Sequence, residues 1–306
     1  MAGNNGFRPS KQHLQTCSSF VLASILASTL RIYFFSPISP DPLHLPPVSA
    51  ALNLPTNKKL QEVTKIGEGF LNKPEDLCFD EEGILYTATG DGWIKRLHRN
   101  GSWEDWKLIG GYALLGITTA RAGGIFVCDA QKGLLKVGEG GVSLLTSHVN
   151  GSEISLYFSV ASSKFGLHHW YLDLLEAKPH GQLLKYDPLL NETSILLDNL
   201  AFANGVALSQ DEDFLVMASD GFEFVHASKA LKHFLATFPK LFQLVKGSNE
   251  KATVVKVAAD GKIVDKFDDP NGKVMSFVTS ALEFEDHLYL GSLNTNFIGK
   301  LPLKAA

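Results

Sequence analysis

Positive charge is in short supply in this chain. Its 28 Lys and Arg stand against 32 Asp and Glu, a formal net charge of −4. No general basic field attracts phosphate backbones, so nucleic acid is excluded as a leading partner. Cysteine is scarcer, with 3 residues. Cys17 sits at the edge of an apolar segment, which leaves Cys78 and Cys128 as the one pairing available to the folded part. Both lie in apolar strand-like runs, where a free buried thiol fits better than a bridge. A long uninterrupted hydrophobic run is also lacking. The stretch Phe20 to Ala27 resumes at Ile32-Tyr33-Phe34-Phe35 only beyond Arg31, short of the roughly 20 clean apolar residues of a spanning helix. What the chain does have is 45 % apolar and 20 % charged residues, the composition of a folded protein with a sizeable core.

Arg8 and Lys11 precede the apolar stretch, so residues 1–36 read as a signal peptide or a signal anchor, with residues 18–35 able to hold the chain at a membrane. Cleavage and retention stay open, and a buried N-terminal helix is the weaker alternative. Pro37, Pro40, Pro42, Pro46, Pro47 and Pro55 mark residues 37–58 as an extended linker. The folded domain is then expected over 59–306. Sequons at Asn100, Asn150 and Asn191 agree with a lumenal, glycosylated fate.

Self-similarity decides the fold. A short strand, a polar turn and a second strand recur at Pro74–Ala88, Leu115–Val127, Ala203–Val216 and Thr279–Leu290. A second form places a Lys in an apolar strand before a turn, at Lys95, Lys136, Lys185, Lys256 and Lys300. Alternating the two hairpins makes a four-stranded antiparallel unit of roughly 40 to 50 residues, a propeller blade. A β-sandwich of generic hairpins has no reason to repeat that register. Successive Lys residues are 41, 49, 71 and 44 positions apart, and the third gap is neither one blade nor two. Four inner and five outer pairs result. The expectation is an all-β six-bladed propeller that is incomplete. Blade three lacks its inner strand, blade four its outer half and blade five its inner half. Two stretches, His168–Lys178 and His226–Val245 with a break at Pro239, read as helical inserts on one rim.

Lys73-Pro74-Glu75-Asp76, Phe202-Ala203-Asn204-Gly205-Val206-Ala207-Leu208-Ser209 and the long stretch from Phe165 to Tyr186 resemble plant strictosidine-synthase-like proteins, relatives of the adipocyte plasma membrane-associated proteins. The resemblance runs from about Lys59 to the C-terminus. It implies distant kinship with calcium-dependent paraoxonases and gluconolactonases, and an endoplasmic reticulum or vacuolar address. It also implies a central calcium held by oxygen ligands at the starts of inner strands, a donor set suited to a hard cation. Glu75 and Asn204 match two of those positions, and the remaining ligands have no counterpart in the sequence.

Three functions follow. The first is a calcium-assisted ester or lactone hydrolase acting on a small molecule, impaired by its internal deletions; Leu115 stands where paraoxonases carry a His base. The second is Pictet–Spengler condensation as in true strictosidine synthases, for which a last-blade Glu is needed where this chain has Ser280. The third is non-enzymatic: a lumenal propeller that binds a partner or small ligand, or a truncated splice form with no activity. His168-His169 are adjacent on a helix, point about 100° apart and read as surface residues rather than a metal pair.

Overall fold

The computed structural model describes residues 11–40, 54–112, 114–120, 123–145, 156–187, 190, 192–200, 203–208, 215–219, 228–242, 252–257 and 263–303. Strand β1 (Thr64–Ile66) is followed by blade one: β2 (Pro74–Phe79), β3 (Leu85–Thr89), β4 (Trp93–Leu97) and β5 (Trp103–Leu108). Blade two is β6 (Leu114–Thr119), β7 (Ile125–Asp129), β8 (Gly133–Gly138) and β9 (Gly141–Leu144). Both are antiparallel meanders in sequence order. The β2–β3 turn forms because Asp80 Oδ1 accepts from the N–H groups of Glu82 and Ile84 at 3.0 and 2.8 Å, while Gly83 supplies φ +76°.

Blade six contains β17 (Val278–Phe284), β18 (His287–Ser292) and β19 (Ile298–Pro302). Its fourth strand is β1, which pairs with β19 antiparallel, Thr64 opposite Lys300. The start of the folded chain therefore closes the ring on its end, a long-range pairing with no local signature in the sequence.

The other three sheets are smaller among the described residues. Blade three has β10 (Leu156–Val160), β11 (Gly181–Asp187) and β12 (Glu192–Leu200). Blade four has β13 (Ala203–Leu208) and β14 (Leu215–Ser219), and blade five has β15 (Ala252–Val257) and β16 (Ile263–Asp269). The expected four inner and five outer pairs are observed among the described residues, with blades four and five incomplete where the long Lys185–Lys256 gap placed the loss.

The recurring cation has a structural cause, and blade one corrects the sequence reading by one residue. In blades two, three and six an aromatic residue of the second strand stands opposite the Lys of the third: Phe126 with Lys136, Tyr157 with Lys185, Tyr289 with Lys300. The Lys136 and Lys300 ammonium groups lie 6.0 and 5.3 Å from those ring centres, within cation–π range. In blade one the equivalent pair is Tyr86 with Arg96. Lys95 faces the other way. It is 5 % exposed, lies 3.8 Å from the Phe70 ring centre and donates to Phe70 O at 3.1 Å.

Blades pack through apolar layers. Cys78, Tyr86, Ile94, Leu114, Ile125 and Val127 fill the space between blades one and two. Leu77, Leu85, Tyr289 and Ile298 join blades six and one, where Phe79 and Phe284 stack at 3.9 Å. Leu60, Phe267, Met275, Leu288 and Leu290 join blades five and six.

Three α-helices occur among the described residues: α1 (Lys11–Phe34), α2 (Trp170–Glu176) and α3 (Lys229–Thr237). Ser228 caps α3 by accepting from Leu231 N–H at 3.3 Å. A further turn opens at Pro239, beyond the break the sequence indicated. The helices α2 and α3 occupy connections between second and third strands, and they meet on one rim through Leu172, Leu175, Leu235, Ala236 and Phe242. Ile38 is buried in that cluster, and Ser39 N–H donates to Glu176 Oε1 at 2.7 Å. The chain leaving α1 is thus fastened to the helical cap. Among the described residues no helix is long and apolar enough to cross a membrane.

Candidate functional site

The four inner strands among the described residues share one irregularity at their first residues. The pairing register slips between Pro74 and Asp76 in β2, Leu114 and Ile117 in β6, Ala203 and Val206 in β13, and Val278 and Ser280 in β17. Bulges re-aim side chains and concentrate at sheet rims and functional sites. Inner strands of a propeller run the same way relative to the axis, so their bulged starts belong to one end; β17, β2 and β6 adjoin directly, whereas β13 packs against β10 and β11. The slipped positions are Glu75, Leu115-Gly116, Asn204-Gly205 and Thr279. Sequence reasoning had singled out three of them, and Ser280 borders the fourth.

The structure brings Glu75 next to blade six. Its carbonyl accepts from Thr279 Oγ1 at 2.6 Å, and its side chain is 6 % exposed. Gly291 pairs with Ser280. A Cβ on Gly291 would stand 2.5 Å from Glu75 O and 2.6 Å from Ser280 Oγ, so only glycine permits this approach of two blades. Ser280 places a hydroxyl, not a carboxylate, on the innermost strand. The nearby carboxylates point elsewhere: Glu283 lies 3.5 Å from Lys256, and Glu285 lies 3.1 Å from Arg99 at the outer turns.

Asp76 is the member of this site that sequence reasoning passed over, although it stands in the same motif as Glu75. Its Oδ2 accepts from Ile117 N–H of blade two at 2.8 Å, and its Oδ1 accepts from Leu77 N–H at 2.8 Å. Burial raises its carboxyl above the ordinary value, against the pull of those two N–H groups. Asp76 therefore locks blade one to the bulge of blade two. Cys128 lies beside this pair. Burial, then the negative charges of Asp76 and Glu75, push its thiol up to about 12, so it is not a ready nucleophile. Cys78 and Cys128 are both free, as the sequence favoured, with Cys128 only half-buried.

A second repeat lies opposite the bulges, at the end of each second strand. Thr89 Oγ1 donates to Trp93 O, Asp129 Oδ1 accepts from Gln131 and Lys132 N–H, and Ser292 Oγ donates to Ser276 O. The small polar residues Thr89, Asp129 and Ser292 at the ends of the second strands are the sequence signal of this repeat.

The donor set does not fit a calcium site. Calcium takes about six to eight oxygens, and the bulge positions hold one carboxylate at Glu75 and one amide at Asn204, whose side chain lies outside the described residues. Among the described residues no group of three or more His, Cys, Asp and Glu is placed to hold a metal. His168 and His169 fall in a short 3-10 turn ahead of α2, and neither is buried. Of the three sequons, Asn100 is exposed in the β4–β5 turn, its Oδ1 accepting from Ser102 N–H and Oγ at 2.9 and 2.7 Å. Asn150 and Asn191 lie outside the described residues.

A ring of antiparallel sheets with bulged inner strands defines an all-β propeller whose channel mouth is its natural site. The chain belongs to the strictosidine synthase-like family. The family pattern described as strictosidine synthase matches residues 147–228, and that of the strictosidine synthase-like N-terminal region matches residues 54–97. The protein STRICTOSIDINE SYNTHASE-LIKE 4 of Arabidopsis thaliana is 30 % identical over 304 positions, covering 78 % of this chain and 81 % of the relative. STRICTOSIDINE SYNTHASE-LIKE 6 of the same plant is 37 % identical over 202 positions, 58 % of this chain and 54 % of that protein. The adipocyte plasma membrane-associated protein of Rattus norvegicus is 28 % identical over 356 positions, covering 88 % and 94 %. That alignment is longer than the 306 residues of the chain yet uses only part of it, so the relative carries internal segments that this chain lacks. A virginiamycin B lyase from Staphylococcus aureus superposes with a TM-score of 0.31 at 10 % identity, over 79 % of this chain and 71 % of the other. Likeness at that level carries no argument.

Proposed function

We propose that this chain is an impaired member of its family: a secretory-pathway propeller related to calcium-dependent ester and lactone hydrolases that keeps the bulged channel mouth but not the groups for turnover. The observation that carries the reading is the composition of the four bulges. One carboxylate at Glu75, one amide, one leucine and one threonine fall short of a hard-cation cage, and the other carboxylate of the site, Asp76, is taken up by the N–H groups of Ile117 and Leu77. Pictet–Spengler condensation is disfavoured on the same ground, because Ser280 offers no carboxylate to take a proton from an amine. The channel mouth is then a place to hold a small ligand. The apolar N-terminal segment and the exposed sequon at Asn100 support residence in the lumen or at the membrane of the endoplasmic reticulum or in the vacuole.

Calcium titration by calorimetry, run alongside turnover of an aryl acetate and a lactone, tests this reading. No stoichiometric binding is expected, and Glu75→Ala should leave the residual rate unchanged. A saturable calcium site whose loss in Glu75→Ala abolishes turnover would falsify it. Condensation of tryptamine with secologanin by the purified chain would overturn the argument from Ser280.

A further inference from the structure

The helical cap has an outward face that the propeller does not use. In α3 the inward side chains Leu235 and Ala236 are buried, whereas Leu231, Phe234 and Phe238 are 36 %, 40 % and 43 % exposed. Their i, i+3 and i+7 spacing puts them on one face, and the Phe234 and Phe238 rings touch at 5.1 Å. The neighbouring α1 exposes apolar residues on every side, from Phe20 at 71 % to Phe34 at 72 %, and Phe35 just beyond it is 79 % exposed. A helix that is apolar all round requires a core or a lipid phase. The two helices are joined: the Tyr33 ring lies 5.5 Å from the His233 ring of α3, and Ile38 is buried against Leu235 and Ala236.

Charge points the same way. The chain is acidic overall, yet no Asp or Glu occurs in residues 1–40 or in residues 224–249. Arg31, Lys229 and Lys240 are exposed beside the apolar residues. Two segments far apart in sequence are thus packed together, exposed, apolar and cationic, in a protein whose acids lie elsewhere. An apolar face rimmed by cations is the pattern of a helix lying in the interface of an anionic bilayer.

We propose that α3, with Phe234 and Phe238 as its apolar anchors and Lys229 and Lys240 as its headgroup contacts, forms one membrane-lying surface with α1, so that the capped rim of the propeller faces an anionic phospholipid bilayer. Anchoring is then two-part, and the N-terminal segment alone does not account for it. This inference does not depend on whether the channel mouth turns over a substrate.

The test uses the full-length chain and vesicles of phosphatidylcholine with and without phosphatidylserine. In a Phe238→Trp variant, a lipid brominated on its acyl chains should quench the emission of the added indole. Lys229→Glu with Lys240→Glu should weaken binding to the anionic vesicles about tenfold or more, at roughly 1 kcal/mol per cation near the surface, with less effect on neutral ones. Phe234→Asp with Phe238→Asp should weaken binding to both, with the far-ultraviolet β signal unchanged. If the indole introduced by Phe238→Trp stays quenchable by iodide and untouched by the brominated lipid, or if the Lys pair leaves binding unaltered, the surface is not a membrane face and α1 acts alone. Self-association without vesicles that depends on Phe234 and Phe238 would assign the face to a second copy instead and overturn the proposal.

Discussion

Blades six, one and two are four-stranded, whereas blades three, four and five have three, two and two strands among the described residues. In the complete half every junction between blades is a closed apolar layer. Leu290, Ile298, Ile94 and Val127 are fully buried there. In the incomplete half, β12 is exposed along nearly its whole length, with Ile195, Leu196 and Leu197 at 56 %, 44 % and 51 %. The outer strand of blade one carries Glu104, Asp105 and Lys107, and that of blade two is only four residues long. Both devices blunt an edge. The strand β12 carries Glu192 and Asp198 but leaves Thr193-Ser194-Ile195-Leu196-Leu197 uncharged between them. Ring closure and three of the four bulges therefore sit in the half with four-stranded blades, while among the described residues β12 is an exposed strand in the other.

The largest expected effect contrasts one leucine from each half. Leu85→Ala opens a cavity in the layer between blades six and one and should cost about 2–5 kcal/mol. Leu197→Ala on β12 should stay within about 0.5 kcal/mol. Urea midpoints of the two variants measure the difference. Equal losses would mean that β12 is covered in solution and that the halves are not distinct.

A smaller effect is expected where blades six and one touch at the mouth. Gly291→Ala forces a methyl against Glu75 O and Ser280 Oγ, an overpacking that costs about 1–3 kcal/mol. Gly166→Ala, before the 3-10 turn of the cap, meets nothing within 4 Å and has extended backbone, so it should be neutral. If Gly291→Ala is also neutral, the bulged mouth is looser than its 2.6 Å Thr279–Glu75 hydrogen bond implies.

Much of this contrast was legible in the sequence. The long Lys185–Lys256 gap pointed to the losses in blades four and five, because blades two, three and six place a third-strand Lys opposite a second-strand aromatic at a regular spacing. Glu75 and Asn204 were singled out by the family resemblance, at inner-strand starts that the structure shows to be bulges. Three things were not legible. Closure through β1 is a pairing across the whole folded chain. The role of Asp76 depends on an N–H from the next blade. The one-residue offset at Lys95 arises because Lys95 and Arg96 are adjacent cations, and only the register tells which faces Tyr86.

The subtlest expected effect concerns the junction of α1 with the cap, which belongs to neither half. His233 is buried, and both its ring nitrogens lack a hydrogen-bond partner among the described residues. Burial first, and the nearby Lys229 second, hold its pKa below the usual 6.5. Below pH 6.5 the unfolded imidazole takes up a proton that the folded one resists, so the junction should lose stability as pH falls from 6.5 toward the folded value, and regain it above. At lower pH a second loss should follow at Glu176. Burial raises its carboxyl, but hydrogen bonds from Lys164 and from Ser39 N–H outweigh that and hold it below the ordinary 4.5, so its contribution disappears as pH falls through that lowered value. Protease cutting near Ile38–Ser39, followed against pH, reads both steps. His233→Leu should remove the upper step and leave the lower one. If the upper step survives in that variant, another group controls the junction, and the coupling between α1 and α3 does not run through His233.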